Sequence, residues 1–187
     1  MNNITIRLAT QNDASTVKDL INQMYGIEYE IRENKCISEA IKNQTEIYFL
    51  AFNNSQCIGF SGASLNNDYY KDVITPDIAV IDYIYVDPQF TDFYVSFSLI
   101  SSLIKRLVEI NVESAILQVQ TSNKQRFFHY ALSDKNIIKT EPIEQHGKPF
   151  EDQILLIKDL KQLSKITIKE LMQKAHYFKN TETKHNL

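Results

Sequence analysis

Proline 88 is the residue that most constrains this chain, because it separates two segments with different apolar periods. Upstream, Ile78 to Val86 is a run of apolar, β-branched and aromatic residues broken by one carboxylate, Asp82, and has the length and composition of a strand. Proline has no N–H to give a ladder, so the strand must stop there. Downstream, Ser96, Ile100, Leu103, Ile104 and Leu107 recur at three- and four-residue steps and share one face of a helix. A strand feeding a helix through a tight turn aims backbone N–H groups and the positive end of the helix dipole at one point. Such a point suits an anion, typically a phosphate.

Other periodic segments surround this unit. Ile4 to Arg7 alternates as a first strand. Thr10 and Asp13 form a capping signal for a helix whose face carries Ala14, Val17, Leu20, Ile21 and Met24, with Gly26 as its stop. Tyr25 to Ile37 reads as irregular, with Glu28, Glu30 and Glu33 set among tyrosines, and Ser38 to Lys42 as a short helix. Glu46 to Phe52 and Cys57 to Leu65 are the strands of a hairpin around Asn53-Asn54-Ser55-Gln56, and Gly59 marks a bulge or a close backbone approach. Asn66 to Asp77 reads as loop.

Ser114 to Thr121 alternates as a strand with Ala115, Leu117 and Val119 on one face, and Lys124 to Leu132 is helix-like. Ile137 to Glu144 and Gln153 to Ile157 make a last hairpin across His146-Gly147-Lys148-Pro149. Thr167 and Glu170 form a capping box, with Ile166 and Leu171 as its hydrophobic staple. The polar tail from Asn180 to Leu187 is expected to be disordered.

Size and charge exclude several classes. A length of 187 residues fits one domain with a substantial core. A net charge of −3 argues against nucleic acid as a partner, since neutralising phosphates needs a basic face. No apolar run reaches the length of a membrane span, and MNNITIRLAT lacks the features of a signal peptide. Cys36 and Cys57 have neither metal nor redox spacing, which fits a reducing, cytoplasmic location. His129, His146, His176 and His185 are scattered, so no metal site is expected.

A strand ending Tyr85-Val86-Asp87-Pro88 and followed by a turn and helix resembles the core of the Gcn5-related N-acetyltransferases, the GNAT superfamily. The run Ile81-Asp82-Tyr83-Ile84-Tyr85-Val86 is similar to the L-E-D-[IL]-Y-V run of its polyamine-type members, and Leu117, Val119 and Asn123 to its L-x-V-x-x-x-N element. Tyr130 stands seven residues after Asn123, where the family usually has a tyrosine. The resemblance covers about Ile4 to Leu160. It implies an α/β (α+β) fold, a central mixed and mostly antiparallel sheet flanked by helices. Residues 1–160 would form this domain, and residues 161–187 a C-terminal helical extension and tail.

The implied reaction is direct transfer of an acetyl group from acetyl-CoA to a primary amine of a small molecule or protein. Attack requires a neutral amine, so a general base removes its proton. Asp82 falls where polyamine-type members carry their active-site glutamate, and Tyr130 would protonate the departing thiolate. The backbone of Ile84, Tyr85 and Val86 would pair with the pantetheine amides, and Asn123 would hold that arm. Thr91, Asp92, Phe93, Tyr94, Val95 and Ser96 occupy the pyrophosphate loop. Each assignment has a structural alternative: Asp82 on a solvated face, Tyr130 in core packing, Asn123 as a helix cap.

The loop departs from the family pattern V-x-P-x-x-[QR]-x-x-G-x-[GA]. Val86 and Pro88 match, but Thr91 takes the basic or Gln position, and Tyr94 and Ser96 replace the glycines. No Lys or Arg occurs from Tyr83 to Ile104. Asp92 about 4 Å from a phosphate would cost roughly 1 kcal/mol in water and roughly 4 at an effective dielectric near 20. A catalytically degenerate binding or regulatory module that has lost normal acetyl-CoA binding is therefore the alternative to the enzyme. The acidic segments Tyr25 to Glu33 and Asn66 to Asp77 would favour a cationic acceptor. The apolar stripe of the last helix serves packing or could equally cover a homodimer partner.

Overall fold

The computed structural model describes residues 4–25, 34–65, 78–90, 93–120, 137–139, 144–145, 148–149, 152–157 and 159–173. Among the described residues nine strands follow in chain order: β1 (Ile4–Leu8), β2 (Glu46–Asn53), β3 (Gln56–Ser64), β4 (Ile78–Val86), β5 (Ser114–Gln120), β6 (Ile137–Lys139), β7 (Glu144–Gln145), β8 (Lys148–Pro149) and β9 (Asp152–Ile157). Seven of them form a sheet in the order β1-β2-β3-β4-β5-β9-β6, while β7 and β8 pair separately. The pair β4–β5 is parallel, and the other neighbours are antiparallel.

Alternation along the strands divides the apolar residues between two faces. On one face Tyr48, Leu50 and Phe60 pack with Val17, Leu20 and Ile21 of α1 (Ala14–Tyr25) and Ile37 of α2 (Asn34–Lys42). On the other, Ile47, Ala63, Ala79, Ile81, Ala115 and Leu117 meet α3 (Phe93–Glu109) through Phe97, Ile100, Leu103, Ile104 and Leu107. Ala51 and Ile58 meet Val95 and Leu99 on that same helix. The expected apolar stripe of α3 is thus its buried face, and Ser96 at its start is half-buried. Because α3 is the crossover between two parallel strands, it must cover the sheet face that they share.

Several local expectations hold with shifted boundaries. The β2–β3 turn is only Asn54-Ser55, with Asn54 at φ 56°, so the strands reach Asn53 and start again at Gln56. Asparagine tolerates that left-handed backbone better than most side chains. The helix expected at Ser38 begins four residues earlier, at Asn34, which corrects the reading of 34–37 as irregular. Its first turn is poor in strong apolar signal, but Ile37 is fully buried under α1 and Ile41 packs beside it. Tertiary packing supplies what local propensity does not.

At the C-terminus, Thr167 N–H donates to Glu170 Oε2 at 2.7 Å and Glu170 N–H donates to Thr167 Oγ1 at 3.3 Å, completing the expected capping box before helical residues 168–173. Leu160 and Leu163 of α4 (Leu160–Leu163) and Leu171 join the cluster that holds Leu103 and Leu107. Gly26, the acidic positions Glu28, Glu30 and Glu33, the loop 66–77, the helix expected over 124–132 and the tail 180–187 lie outside the described residues.

Candidate active site

The site is set by where two parallel strands part. The β4–β5 ladder runs from Ile78 opposite Ser114 to Ile81 opposite Leu117. Both strands then continue, β4 along β3 to Val86 and β5 along β9 to Gln120. Between them the sheet opens into a fork at the carboxyl ends of two parallel strands, the position at which open α/β sheets place ligands. Ile84, Tyr85 and Val86 line the β4 arm, so an extended chain bearing amides can add along that edge as a strand would.

Asp82 stands at the apex. Across the β3–β4 ladder Ala63 faces Ile81 and Gly62 faces Tyr83, so Asp82 is an extra residue with no opposite number. This bulge reverses the alternation of β4. Ile81 packs under α3, yet Tyr83 and Tyr85, two and four residues on, pack with the α1 cluster. Bulges re-aim side chains in this way and are over-represented beside active sites. The half-buried Asp82 carboxylate accepts a hydrogen bond at Oδ2 from Ser64 Oγ on β3.

An aromatic layer adjoins this carboxylate. Tyr83 stacks on Phe60 at 5.6 Å and on Tyr48 at 6.1 Å between centroids, and Tyr25 at the end of α1 meets its edge at 6.4 Å. The Tyr48–Tyr83 stack spans β3 because Gly62 lies between them. A Cβ there would sit 2.6 Å from the Tyr48 ring and 3.0 Å from that of Tyr83. Tyr48 donates its hydroxyl to Glu46 Oε2 at 2.6 Å, which brings a second carboxylate to the row holding Ser64. Burial, and then the charge of Asp87, push the Tyr85 hydroxyl above its ordinary pKa.

At the strand's exit Asp87 N–H donates to the Ile58 carbonyl at 2.8 Å, and Asp87 Oδ1 accepts from Gln89 N–H at 2.8 Å. These bonds set the turn over Pro88–Phe90 that leads toward α3. In the first turn of α3, Tyr94 is 44% exposed, Val95 is buried, and Ser96 is half-buried. Thr91, Asp92, Asn123 and Tyr130 lie outside the described residues, as does the side chain of Phe93. Of the residues expected at the site, the structure thus gathers Asp82, Ile84, Tyr85 and Val86 around the fork, with Tyr94, Val95 and Ser96 at the start of α3. Ser64, Gly62 and Tyr83 belong to the same place and were not expected there. A serine eighteen residues from Asp82 carries no signal until the strands are in register. Among the described residues no group of His, Cys, Asp and Glu is placed to hold a metal ion.

A sheet forked beside a bulged carboxylate, with a helix leaving the end of the central strand, defines the acyl-CoA N-acyltransferase class of fold. The family model for the acetyltransferase (GNAT) family matches residues 14–130, more than half of the chain, and the protein belongs to that family. Among solved structures it is similar to diaminobutyrate acetyltransferase from Paenibacillus lautus, in complex with L-2,4-diaminobutyric acid and coenzyme A, with 16% identity and a TM-score of 0.63 over 86% of this chain and 97% of that one. It is similar also to yncA of Salmonella typhimurium with its cofactor acetyl-CoA, with 13% identity and a TM-score of 0.64 over 83% and 94%. A spermidine N-acetyltransferase chimera of Vibrio cholerae SpeG and hSSAT shares 15% identity, with a TM-score of 0.59 over 87% and 99%. No curated protein matches the sequence. Among the described residues no helix is long and apolar enough to cross a membrane.

Proposed function

We propose that this protein is an N-acetyltransferase that moves an acetyl group from acetyl-CoA to a primary amine. The observation that carries this reading is the fork itself, with Asp82 bulged at its apex and the β4 edge from Ile84 to Val86 lining one arm. The pantetheine arm lies along that edge, and the thioester carbonyl reaches the level of Asp82. The amine nitrogen attacks that carbonyl carbon while its proton passes to the Asp82 carboxylate. The carbon–sulfur bond then breaks, and the thiolate takes a proton from Tyr130. The products are the N-acetyl amine and the free thiol. A backbone N–H of β4 stabilises the developing oxyanion. Residues 1–160 carry this chemistry and residues 161–187 extend it. A cationic acceptor suits the carboxylates Glu46 and Asp82 and the tyrosine faces beside them.

The start of α3 favours a second reading. Tyr94 and Ser96 stand where glycines would let the backbone approach a pyrophosphate, so the fold would then serve as a binding or regulatory module that does not hold coenzyme A. Isothermal titration with acetyl-CoA separates the two. Micromolar binding supports the enzyme, and silence at millimolar ligand supports the module. Turnover is followed as thiol release with a panel of primary amines that includes spermidine and 2,4-diaminobutyrate. Asp82→Asn should lower kcat by about 10²–10⁴ while leaving acetyl-CoA affinity close to that of the parent. Full turnover by that variant removes Asp82 from the mechanism.

A further inference from the structure

We infer, on the reading that the coenzyme lies along β4, that Ser61 is a positioning residue holding the start of α3 in register with that strand. Ser61 is fully buried within β3. Its backbone is fixed on both sides, opposite Phe49 on β2 and Ile84 on β4. Its side chain lies on the α3 face, where Oγ donates to the Leu99 carbonyl at 3.2 Å. One residue thereby grips two points of the chain, one on each side of the turn at Pro88.

Those two points lie close to the groups read as holding the coenzyme. Val86 is two residues beyond Ile84, about 6.6 Å along the strand. Ser96 is three residues before Leu99, about 4.5 Å along the helix axis. The buried Ser98 carries the hold further, because its Oγ donates to the Tyr94 carbonyl at 2.6 Å. Around Leu99 the packing is apolar, with Ala51, Ile58 and Val95. Apolar contact is non-directional, whereas a hydrogen bond needs donor and acceptor in line. The Ser61 hydroxyl therefore adds what that packing lacks, a directional tie between the first two turns of α3 and the β4 arm. A coenzyme that touches both sides binds only while their spacing is kept, so its apparent affinity falls with the fraction of molecules that keep it.

The test compares Ser61→Ala with Ser61→Thr, which keeps the hydroxyl and adds a methyl on the face of the small Gly59 and Ala63. In Ser61→Ala the Leu99 carbonyl retains its helical partner, the N–H four residues on, so no buried group is left without a bond. Amide exchange in the full chain without ligand should be several-fold faster than in the parent at Phe97 to Ile100 and unchanged at Lys105 to Glu109. By isothermal titration the Kd for acetyl-CoA should rise about threefold to tenfold. KM for acetyl-CoA should rise alike while kcat and the amine KM hold, and Ser61→Thr should restore each value. If Ser61→Ala does not fold, Ser61→Cys, of similar size and a weaker donor, should shift the same quantities in the same direction. Exchange at Phe97 to Ile100 that matches the parent overturns the inference. So does faster exchange with an unchanged Kd, because the bond then serves stability alone. A parent protein silent to millimolar acetyl-CoA instead refutes the reading of β4 as the coenzyme's edge, and exchange alone then decides whether Ser61 holds α3.

Discussion

Adding one methyl group at Gly59 should loosen the central strand pair and the exit of β4 together. Gly59 lies opposite Val86, and a Cβ built on it falls 2.6 Å from the Tyr85 carbonyl oxygen and 3.1 Å from Val86 Cα. An ordinary contact is about 3.5 Å, so the two backbones must separate by close to 1 Å. Backbone on a paired strand cannot turn aside as a flexible side chain does. Overpacking of this kind costs about 1–3 kcal/mol, against a gain of about 0.5–1 for replacing glycine in a strand. Gly59→Ala should therefore lose about 1–2 kcal/mol. At this chain length that lowers Tm by about 2–8 °C. The displaced segment leads directly to Asp87, whose N–H is held by the Ile58 carbonyl at 2.8 Å. Affinity for acetyl-CoA should therefore fall with the melting temperature. Gly62→Ala is the contrast, since there a Cβ meets the Tyr48 and Tyr83 rings rather than backbone. The chain has no tryptophan, so near-ultraviolet circular dichroism reports its tyrosines directly and should change more for Gly62→Ala than for Gly59→Ala. A Gly59→Ala protein that melts at or above the parent temperature would refute the close approach.

Other variants probe other levels of the structure. Asp13 accepts from both terminal nitrogens of Arg7 at 2.9 and 2.7 Å and from the Thr10 N–H, and Arg7 above all holds its carboxyl well below the usual range. Its folded pKa lies below the unfolded one, so its contribution is full above about pH 4 and is lost as pH falls further. Acid titration should show Asp13→Asn less stable by about 1 kcal/mol at pH 7, allowing for solvent screening of an exposed pair, with the difference from the parent shrinking steadily as pH falls below about 4. Thr167→Ala removes one half of the capping box and should cost about 1 kcal/mol in urea unfolding. Asp92→Asn removes a negative charge next to Phe93 in sequence, and titration calorimetry should find acetyl-CoA bound several-fold more tightly, since about 1 kcal/mol is at stake at 4 Å in water.

Much of the architecture was legible because it rests on local periods and stop signals. The run ending at Pro88, the stripe from Ile100 to Leu107, the hairpin around Asn54 and the box of Thr167 with Glu170 each announce themselves within ten or twenty residues. The first turn of α2 did not, because its stability comes from Ile37 buried under another helix. The site was legible only where one residue carries it. Asp82 stood out as a lone carboxylate in an apolar strand. That it sits on a bulge depends on which residues of β3 it faces, and register is a property of two strands together. The Ser64 donor, the stack made possible by Gly62 and the arm of the fork beyond Ile81 all follow from that register.

The strand order has a consequence for how the molecule assembles. From β1 to β4 the neighbours in space are neighbours in sequence, whereas β9 is inserted between β5 and β6. The half of the sheet bearing the bulge can form from strands that follow one another in sequence, but the far half forms only when β9 takes its place between β5 and β6. Pairings of such wide separation are slow to find. Refolding followed by pulsed hydrogen exchange should accordingly protect the amides of β2 and β3 first. Those of β5 should follow in a later phase, and the cleft would exist only once that phase is complete.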